Sequence, residues 1–444
     1  MRTIGRKPES CISLKSPGET ASVHLQTAPS AGSIGAVMTS GSPSAVEAIF
    51  TVLMLFYMTN AVSPRAATTV VIVKTALYGL ASVFVLARWR VVFRGLLDSK
   101  WILVLVLLAA ASALWSNDPY KTLRGSSVLL ASTAFGIYLG TRYTVSEQLR
   151  LLAWTCFLFI VPSYFTALFL PAYGIQHEFA YDAWKGIFMH KNGLAEAAVF
   201  AVPVFAFVRP MARWLRYLGL TAAFGLILLS RSATGLIVFC VVLALLLSYI
   251  VIRVRLISVI LAGLSVGAVL TGVLLLFSPR TEQVLEFLHR TPDLTGRTEL
   301  WAAVLQAISK RPWLGYGFSA FWQTSSREVV SIHAQLGWIP GYAHNGFLDL
   351  ALYLGLLGLG TFVLGYLVLC SRAFVHLWQK ADLCAMWMCT YLLFMLLYNL
   401  TEGSILRQND IYWVLYVSTA VCLSRRFSRP ESPVLGSEIR VGTN

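Results

Sequence analysis

The chain has 444 residues, of which 57% are hydrophobic and only 12% are charged. Soluble proteins carry about 25% charged residues, so the composition excludes an ordinary soluble enzyme. The net charge of +15 would suit nucleic acid, but no basic stripe with interleaved aromatic residues is present. Because basic residues gather on the cytoplasmic loops of polytopic proteins, we expect such a membrane protein and no nucleic-acid partner.

The predicted elements are apolar helices between two polar tails. Residues 1–44 are rich in Ser, Gly, Thr and Pro, which predicts a disordered cytoplasmic tail. The apolar segments that follow approach the roughly 20 residues needed to cross a bilayer, which predicts an all-α polytopic membrane protein of about 12 transmembrane helices. These segments lie at 46–63, 67–87, 101–116, 126–141, 150–171, 192–208, 213–230, 233–252, 256–278, 344–370, 382–402 and 409–424. The predicted organisation is helices 1–9 in 45–278, one large loop in 279–343, helices 10–12 in 344–424 and a cytoplasmic tail in 425–444.

Basic residues indicate the orientation of the bundle. With the N-terminus inside, the inner loops hold thirteen Lys and Arg residues and the short outer loops hold seven. Because cytoplasmic loops carry the excess of positive charge, both termini are predicted to lie in the cytoplasm. The 279–343 loop is then extracytoplasmic.

The large loop contains a helical pattern. Its apolar residues at helical spacing are Leu300, Trp301, Val304 and Ile308. They predict an amphipathic helix over 298–309, with Thr298 as its N-cap and Pro312 just after its end. The loop is therefore expected to form a cap that contains short helices.

Two arginines at outer positions are candidates for binding phosphate. Arg231 occupies a very short turn between two apolar segments, where a charge is costly unless it pairs, lines a cavity or snorkels to the interface. Arg297 stands just ahead of the predicted loop helix, where a solvated loop charge is the alternative. Guanidinium groups bind phosphate oxygens bidentately and stay charged. Two guanidinium groups that face the same cavity would therefore suit a pyrophosphate. Lys191 and Arg311 are further candidates for the same positive field.

Two histidines precede apolar helices. His344 stands where the large loop enters the tenth segment, and the N–H groups of a helix N-terminus disfavour an imidazolium there. A neutral imidazole is what a general base requires, whereas an interfacial histidine that only hydrogen-bonds the loop is the alternative. His190, followed by Lys-Asn-Gly and a helix, repeats this arrangement one outer loop earlier.

Metal and cofactor motifs are absent from the sequence. It has no HExxH, P-loop, GxSxG or paired acidic residues in an outer loop, so we expect neither a metal site nor a cofactor. The seven cysteines include no CxxC, which predicts packing residues rather than disulfides. Few charged residues lie within the apolar segments, and Lys74 is the main one. A transporter or proton pump usually has more charged residues there.

Taken together, these motifs resemble the O-antigen ligase and polysaccharide polymerase superfamily. The resemblance rests on the order and spacing of four motifs: the Arg231 turn, residues 296–301 and 312–318 within the one large outer loop, and residues 343–348 where that loop enters the tenth segment. It extends over about residues 180–425. The His190-Lys-Asn-Gly motif most resembles the exopolysaccharide polymerase branch.

The resemblance implies an inverting, metal-independent glycosyltransferase with a GT-C-like fold in the bacterial inner membrane. It implies that Arg231 and Arg297 bind the pyrophosphate of a polyprenyl-linked glycan donor and that His344 deprotonates the acceptor hydroxyl. His190, Lys191 and Arg311 are added to this set from their positions alone. The implied partners are the lipid-linked donor, the glycan acceptor, membrane lipids, and the flippase and chain-length regulator of the same pathway.

Three functions remain open at this point. The first is a polymerase that joins repeat units of an exported polysaccharide at the outer face of the inner membrane. The second is a ligase that transfers finished polymer to a lipopolysaccharide core, which differs only in its acceptor. The third is a non-catalytic transporter of lipid-linked glycan, which needs no base, so His344 separates it from the other two.

Overall fold

The computed structural model describes residues 43–61, 67–177, 182–251, 295–323, 326–338 and 340–428. This part of the chain is almost entirely α-helical, with one short hairpin. Its helices are α1 (Ala45–Met58), α2 (Ala67–Ala87), α3 (Trp89–Asp98), α4 (Lys100–Ala111), α5 (Pro119–Arg142), α6 (Val145–Phe169), α7 (Pro171–Gly174), α8 (Lys191–Phe207), α9 (Arg213–Leu229), α10 (Ala233–Val251), α11 (Thr295–Lys310), α12 (Arg327–Leu336), α13 (Gly346–Lys380), α14 (Leu383–Asn399) and α15 (Ile411–Ser428), with a 3₁₀ turn at Ser112–Leu114. Strands β1 (Ile175–His177) and β2 (Asp182–Trp184) pair antiparallel, with Gln176 opposite Ala183. The sequence pattern did not indicate this hairpin.

Helix length and composition agree with a membrane-type, all-α architecture. In the described ranges, α6 and α13 are long and apolar enough to cross a bilayer, and α2 with α3 adds a third span if this pair, bent by 85°, is counted as one. Shorter apolar helices account for most of the other predicted segments. The all-α class is thus confirmed, whereas the number of about twelve spans and the GT-C-like arrangement stay predictions. The tail before residue 43 and the predicted span 256–278 lie outside the described residues.

Two largely apolar helices, α8 and α15, form the centre of the bundle. Nearly every side chain of α8 is buried, as is nearly every side chain of α15 up to Ser424. A helix that is hydrophobic on all sides must be surrounded by other helices. Helix α15 packs closely on α5, because a Cβ at Gly136 or Gly140 would lie 2.8 Å from a backbone oxygen of α15. This four-residue spacing of glycines allows two backbones to approach within a membrane.

Helix α13 is interrupted at Gly355, where residues 312–317 of the large loop insert into it. The Tyr316 N–H donates to the Leu352 carbonyl oxygen at 2.8 Å, and two N–H groups beyond the break donate back to loop carbonyl oxygens. Gly355 has φ 63°, and a Cβ there would lie 2.2 Å from the Trp313 oxygen. Only glycine fits this position. The loop is therefore fastened to α13 within three turns of its first residue.

The loop helix is longer at its start than the apolar pattern predicted. Helix α11 begins at Thr295, so Arg297 lies in its first turn rather than ahead of it. Because Thr298 already has a helical backbone, the prediction that it is the N-cap was wrong. The predicted apolar face is confirmed, since Leu300 and Val304 are fully buried, and Trp301 Nε1 donates to the Ala343 oxygen at 2.8 Å. The loop also contains the short helix α12.

Candidate active site

Two of the predicted site residues, Arg297 and His344, meet at the carboxylate of Glu402. Arg297 Nη2 lies 3.2 Å from Glu402 Oε1, and its Nη1 donates to the Thr401 oxygen at 2.9 Å. His344 Nδ1 lies 3.4 Å from Glu402 Oε2, and the Tyr342 hydroxyl donates to the same oxygen at 2.7 Å. The Glu402 side chain is only 11% exposed. One buried carboxylate therefore connects a cation, an imidazole and a phenol, and we call these four residues the Glu402 cluster.

The Glu402 cluster is held by a tight turn between α14 and α15. Asn399, the last residue of α14, accepts the Ser404 N–H at 2.8 Å through its Oδ1 atom. The Gly346 N–H donates to the Glu402 backbone oxygen at 2.9 Å, and Asn345 Nδ2 donates to another carbonyl of this turn at 3.2 Å. The turn is thereby tied to the start of α13, which fixes Glu402 relative to His344.

The prediction was that His344 begins the tenth helix. In the structure it lies two residues before the first residue of α13. Asn345 is the N-cap, and its Oδ1 accepts two N–H groups of the first turn, so the helix N-terminus is already satisfied. His344 has a left-handed backbone with φ 50°, and its ring lies 4.0 Å from the Tyr342 ring, centroid to centroid. Among the described residues its buried Nδ1 has no hydrogen-bond partner, and Glu402 is the acid beside it.

The charges of the Glu402 cluster support one another. Burial alone raises the pKa of Glu402, but contacts with His344, Arg297 and Tyr342 outweigh it and hold the pKa below its usual value. Burial, and then the Glu402 charge, raise the pKa of the Tyr342 hydroxyl. Glu402 is therefore ionised and Tyr342 protonated at neutral pH.

A cavity of about 280 Å³ adjoins the Glu402 cluster. Its aromatic lining comes from Phe318, Tyr342 and Tyr353. Its polar lining is Ser319, Tyr342, Asp349, Arg407 and Gln408. Aromatic faces combined with a few polar groups are typical of small-molecule sites and suit a sugar ring. Arg407, whose side chain is 46% exposed, places a positive charge in this cavity.

Backbone strain is concentrated around this cavity. Ser319 with φ 59° and Leu406 with φ 52° both line it, and His344 with φ 50° adjoins it. A left-handed conformation at a residue other than glycine costs about 1–3 kcal/mol and is found most often at functional sites. Three of the seven described non-glycine residues with positive φ therefore lie at the cavity or beside it, which is consistent with a functional site there.

Arg231 lies in a different setting, in the turn between α9 and α10. Its side chain is exposed, its φ is 49°, and the turn is tied to the start of α8 by a 3.0 Å hydrogen bond from Ser232 Oγ to Asn192 Oδ1. His190 is the exposed N-cap residue of α8, whereas Lys191 is only 4% exposed. The arrangement of His190 before a helix is therefore confirmed, while the roles of these residues stay predictions.

Helix α8 connects the Arg231 turn to the Glu402 cluster. Glu196, about 6 Å beyond Asn192 along the helix axis, interacts electrostatically with Glu402, Asp410 and Arg407. In the described part of the chain, its buried Oε1 has no hydrogen-bond partner. The start of α8 thus brings the Arg231 turn to the same end of the bundle as the Glu402 cluster.

Arg311 contacts a different part of the protein. Its Nη1 donates to Asn117 Oδ1 at 2.9 Å, and its guanidinium lies 4.9 Å from the centre of the Tyr316 ring. These contacts hold the end of α11 against the turn before α5. They provide a structural role for Arg311, and no hydrogen bond joins it to the Glu402 cluster among the described residues.

Sequence reasoning missed Glu402 and Tyr342. The available signal was weak: Glu402 is a lone acid where an apolar segment ends, the mirror image of His344 where one begins. A buried arginine needs a counter-charge, so the search for a partner of Arg297 would have pointed to it. No group of three or more His, Cys, Asp or Glu residues is arranged to hold a metal ion in the ranges that the structure covers.

Comparison with known proteins shows similarity of this chain to proteins of polysaccharide production. Residues 218–363 match the family described as O-antigen ligase. The chain is 26% identical over 299 residues to "Exopolysaccharide production protein ExoQ" of Rhizobium meliloti, covering 64% of this chain and 67% of that protein. It is 35% identical over 81 residues to a "Putative polysaccharide ligase" of Rickettsia typhi, covering 18% of this chain and 20% of that protein. These similarities confirm the resemblance to the O-antigen ligase family and to proteins of polysaccharide production and ligation. The matched family region includes Arg231, Arg297 and His344, and Glu402 lies beyond it.

Proposed function

We propose that the protein polymerises polyprenyl-pyrophosphate-linked repeat units of an exported polysaccharide at the outer face of the bacterial inner membrane. The observation that carries the proposal is the convergence of Arg297 and His344 on one buried carboxylate beside a strained, aromatic-lined cavity. A glycosyl transfer of this kind needs a cation for the pyrophosphate and a base for the acceptor hydroxyl. Both residue types are present at one site.

The chemistry requires few groups. Arg297 and Arg231 neutralise the pyrophosphate as it leaves, which makes it a good leaving group without a metal ion. His344 removes the proton of the acceptor hydroxyl, and attack on the face opposite the leaving group inverts the anomeric centre. The acceptor sugar occupies the cavity beside Tyr342 and Tyr353.

The ligase is the second candidate, because ligase and polymerase differ in acceptor rather than in the reaction at the donor. Polymerase is preferred on the longer of the two similarities, to the exopolysaccharide production protein. Glycan analysis of a strain lacking this gene decides between them. Accumulation of single lipid-linked repeat units supports the polymerase, whereas complete polymer still attached to its carrier contradicts it and supports the ligase.

Metal independence is part of the proposal and has its own test. The purified protein is assayed with lipid-linked glycan extracted from the deletion strain, with and without excess chelator. We expect the rate to be unchanged. Loss of transfer on chelation, with recovery on addition of Mg²⁺ or Mn²⁺, would contradict a metal-free mechanism.

The orientation of the chain in the membrane is proposed from the number of Lys and Arg residues in the inner and outer loops. Both termini are inside and the 279–343 loop is outside. A single cysteine introduced at Ser326, in a cysteine-free variant, is treated with a membrane-impermeant thiol reagent in intact spheroplasts. Labelling without permeabilisation is expected. Labelling only after permeabilisation would place the loop in the cytoplasm and exclude this model.

A further inference from the structure

We propose that Glu402 is the positioning residue of His344, orienting the imidazole for proton transfer and stabilising the charge that it acquires. The inference rests on the proposed function, because without transfer to a hydroxyl there is no proton for His344 to accept. Glu402 touches no reacting atom in this mechanism and acts only through His344.

The first argument is orientation. The Nδ1 atom of His344 is buried and lies 3.4 Å from Glu402 Oε2, whereas the whole side chain is 24% exposed. The exposed part of the ring is therefore on the side away from Glu402. The 3.4 Å approach is a charge contact and not a hydrogen bond, and it favours a proton on Nδ1, beside the carboxylate. A neutral imidazole with its proton on Nδ1 leaves Nε2 unprotonated and available to an incoming hydroxyl.

The second argument is the proton and charge balance. The acceptor oxygen forms a bond to the anomeric carbon as its proton passes to Nε2 of His344. The bond between the anomeric carbon and the phosphate oxygen breaks, and its electron pair leaves with the lipid pyrophosphate. His344 then carries a positive charge, and the ionised Glu402 beside Nδ1 stabilises that charge.

The third argument is that Glu402 is itself fixed. Tyr342 donates to Oε2 at 2.7 Å, Arg297 lies 3.2 Å from Oε1, and the Gly346 N–H holds the backbone oxygen. A carboxylate held by two donors on a tethered backbone keeps its direction, which a residue that orients another residue must do. The Tyr342 ring, tilted by 38° with its centroid 4.0 Å from that of His344, restrains the imidazole from a further direction.

The chain contains a matched control for this proposal. Glu47 in α1 is also a buried glutamate that accepts from an arginine, Arg142, and from a tyrosine, Tyr138. It has no histidine neighbour among its described contacts. Glu47→Gln therefore disrupts a buried Arg–Glu–Tyr cluster without affecting His344, and any loss that it shares with Glu402→Gln is structural.

The experiment compares purified full-length wild type, Glu402→Gln, Tyr342→Phe, Glu47→Gln and His344→Ala. The donor is undecaprenyl-pyrophosphate-linked glycan extracted from the deletion strain. Turnover is measured between pH 5 and 9, and thermal unfolding is measured on the same samples. Tyr342→Phe keeps the Glu402 charge and removes only one hydrogen bond, so it remains informative if Glu402→Gln folds poorly.

We expect Glu402→Gln to lower kcat by about 10²-fold, part of the effect of a general base. The acidic limb of its pH–rate profile moves to lower pH, because a neutral amide no longer stabilises a protonated His344. Asp349 and Tyr342, the other titratable groups that face His344, are unchanged in this variant. Tyr342→Phe lowers kcat by about 2–10-fold, which corresponds to the roughly 0.5–1.5 kcal/mol of one hydrogen bond. Glu47→Gln lowers the unfolding temperature and leaves kcat and the pH profile as in wild type.

Several results would overturn the proposal. A Glu402→Gln kcat within about twofold of wild type, or a lower kcat with an unmoved pH profile, leaves Glu402 with a structural role only. Full activity in His344→Ala with loss in Glu402→Gln makes Glu402 the base. If the wild type transfers no glycan and binds no undecaprenyl pyrophosphate, the proposed function fails, and this inference fails with it. If the wild type transfers glycan and His344→Ala does not, the proposed function stands whatever the Glu402 variants show.

Discussion

Two buried Arg–Glu–Tyr clusters lie near opposite ends of α15, and they differ in the lengths of their contacts and in the exposure of their side chains. Near its C-terminal end, Arg142 binds Glu47 bidentately, with Nε–Oε1 at 2.7 Å and Nη2–Oε2 at 2.8 Å. Before its N-terminal end, Glu402 is shared between Arg297 at 3.2 Å and His344 at 3.4 Å. The side chains of the first pair are 5% and 8% exposed, whereas His344 is 24% exposed.

The comparison separates anchoring from chemistry. A short bidentate pair, with the Tyr138 hydroxyl as a further donor, occupies the Glu47 carboxylate, which suits a joint between α1 and α5. The longer contacts around Glu402 leave part of the histidine ring exposed, next to a cavity and to strained backbone. Residue types are almost the same in both places, so geometry and access are what distinguish a structural cluster from a candidate catalytic one.

The largest expected effect is at the histidine, which only the Glu402 cluster has. His344→Ala is expected to lower kcat by about 10²–10⁴-fold, the contribution of a general base, with little change in binding of undecaprenyl pyrophosphate. His344→Gln keeps the size and hydrogen bonding but cannot accept the proton, so it should be equally slow. Turnover and lipid binding of the purified variants provide the measurement.

Two outcomes would change this assignment. Activity restored by glutamine would mean that His344 orients the acceptor and is not the base. Loss of lipid binding in both variants would move His344 to the pyrophosphate site or to the fold.

The second largest effect is expected on stability, at the Glu47 cluster. Glu47→Gln leaves Arg142 buried without its counter-charge, which is expected to cost about 3–5 kcal/mol of unfolding free energy. Turnover per folded molecule is expected to stay at the wild-type value. Unfolding in detergent and kcat are measured on the same preparation, and a lowered kcat with unchanged stability would give the Glu47 cluster a role in transfer.

The exposed arginine is expected to show a smaller, binding-type effect. If Arg231 binds the pyrophosphate as proposed, Arg231→Ala removes charged hydrogen bonds worth about 1.5–3 kcal/mol, so the affinity for undecaprenyl pyrophosphate should fall by about 10–100-fold with the unfolding temperature unchanged. Arg231→Lys should recover little of it, because an ammonium lacks the bidentate fork. Calorimetric titration with this lipid in micelles measures the change, and wild-type affinity in Arg231→Ala would leave Arg231 as a snorkelling residue.

The smallest expected effect is a gain in stability at Glu196. Its Oε1 is buried with no hydrogen-bond partner among the described residues, and the carboxyl lies in the field of Glu402 and Asp410. Glu196→Leu replaces an unsatisfied polar group with an apolar one and is expected to raise the unfolding free energy by about 1–2 kcal/mol. If kcat falls more than tenfold while stability rises, Glu196 belongs to the active site.

Local sequence predicted the residues of the site better than it predicted their arrangement. The apolar periods placed the loop helix close to its true bounds, and the motifs selected Arg297 and His344. The start of α11 was misplaced by three residues because Gly296 is a poor helix former and no apolar residue before Leu300 extends the helical period towards Thr295. The insertion of residues 312–317 into α13 was not predicted, because its hydrogen bonds join backbones that are distant in sequence.

By itself, the sequence determined that this is a helical, membrane-type protein, because backbone polar groups in an apolar environment must be satisfied within helices. It also determined which motifs carry arginine and histidine. Only the tertiary structure decided that Arg297 and Glu402, 105 residues apart, form one pair and that Glu47 and Arg142 form another. Pairing of buried charges depends on which helix ends come together, and hydrophobic periodicity specifies the buried face of a helix without specifying its neighbour.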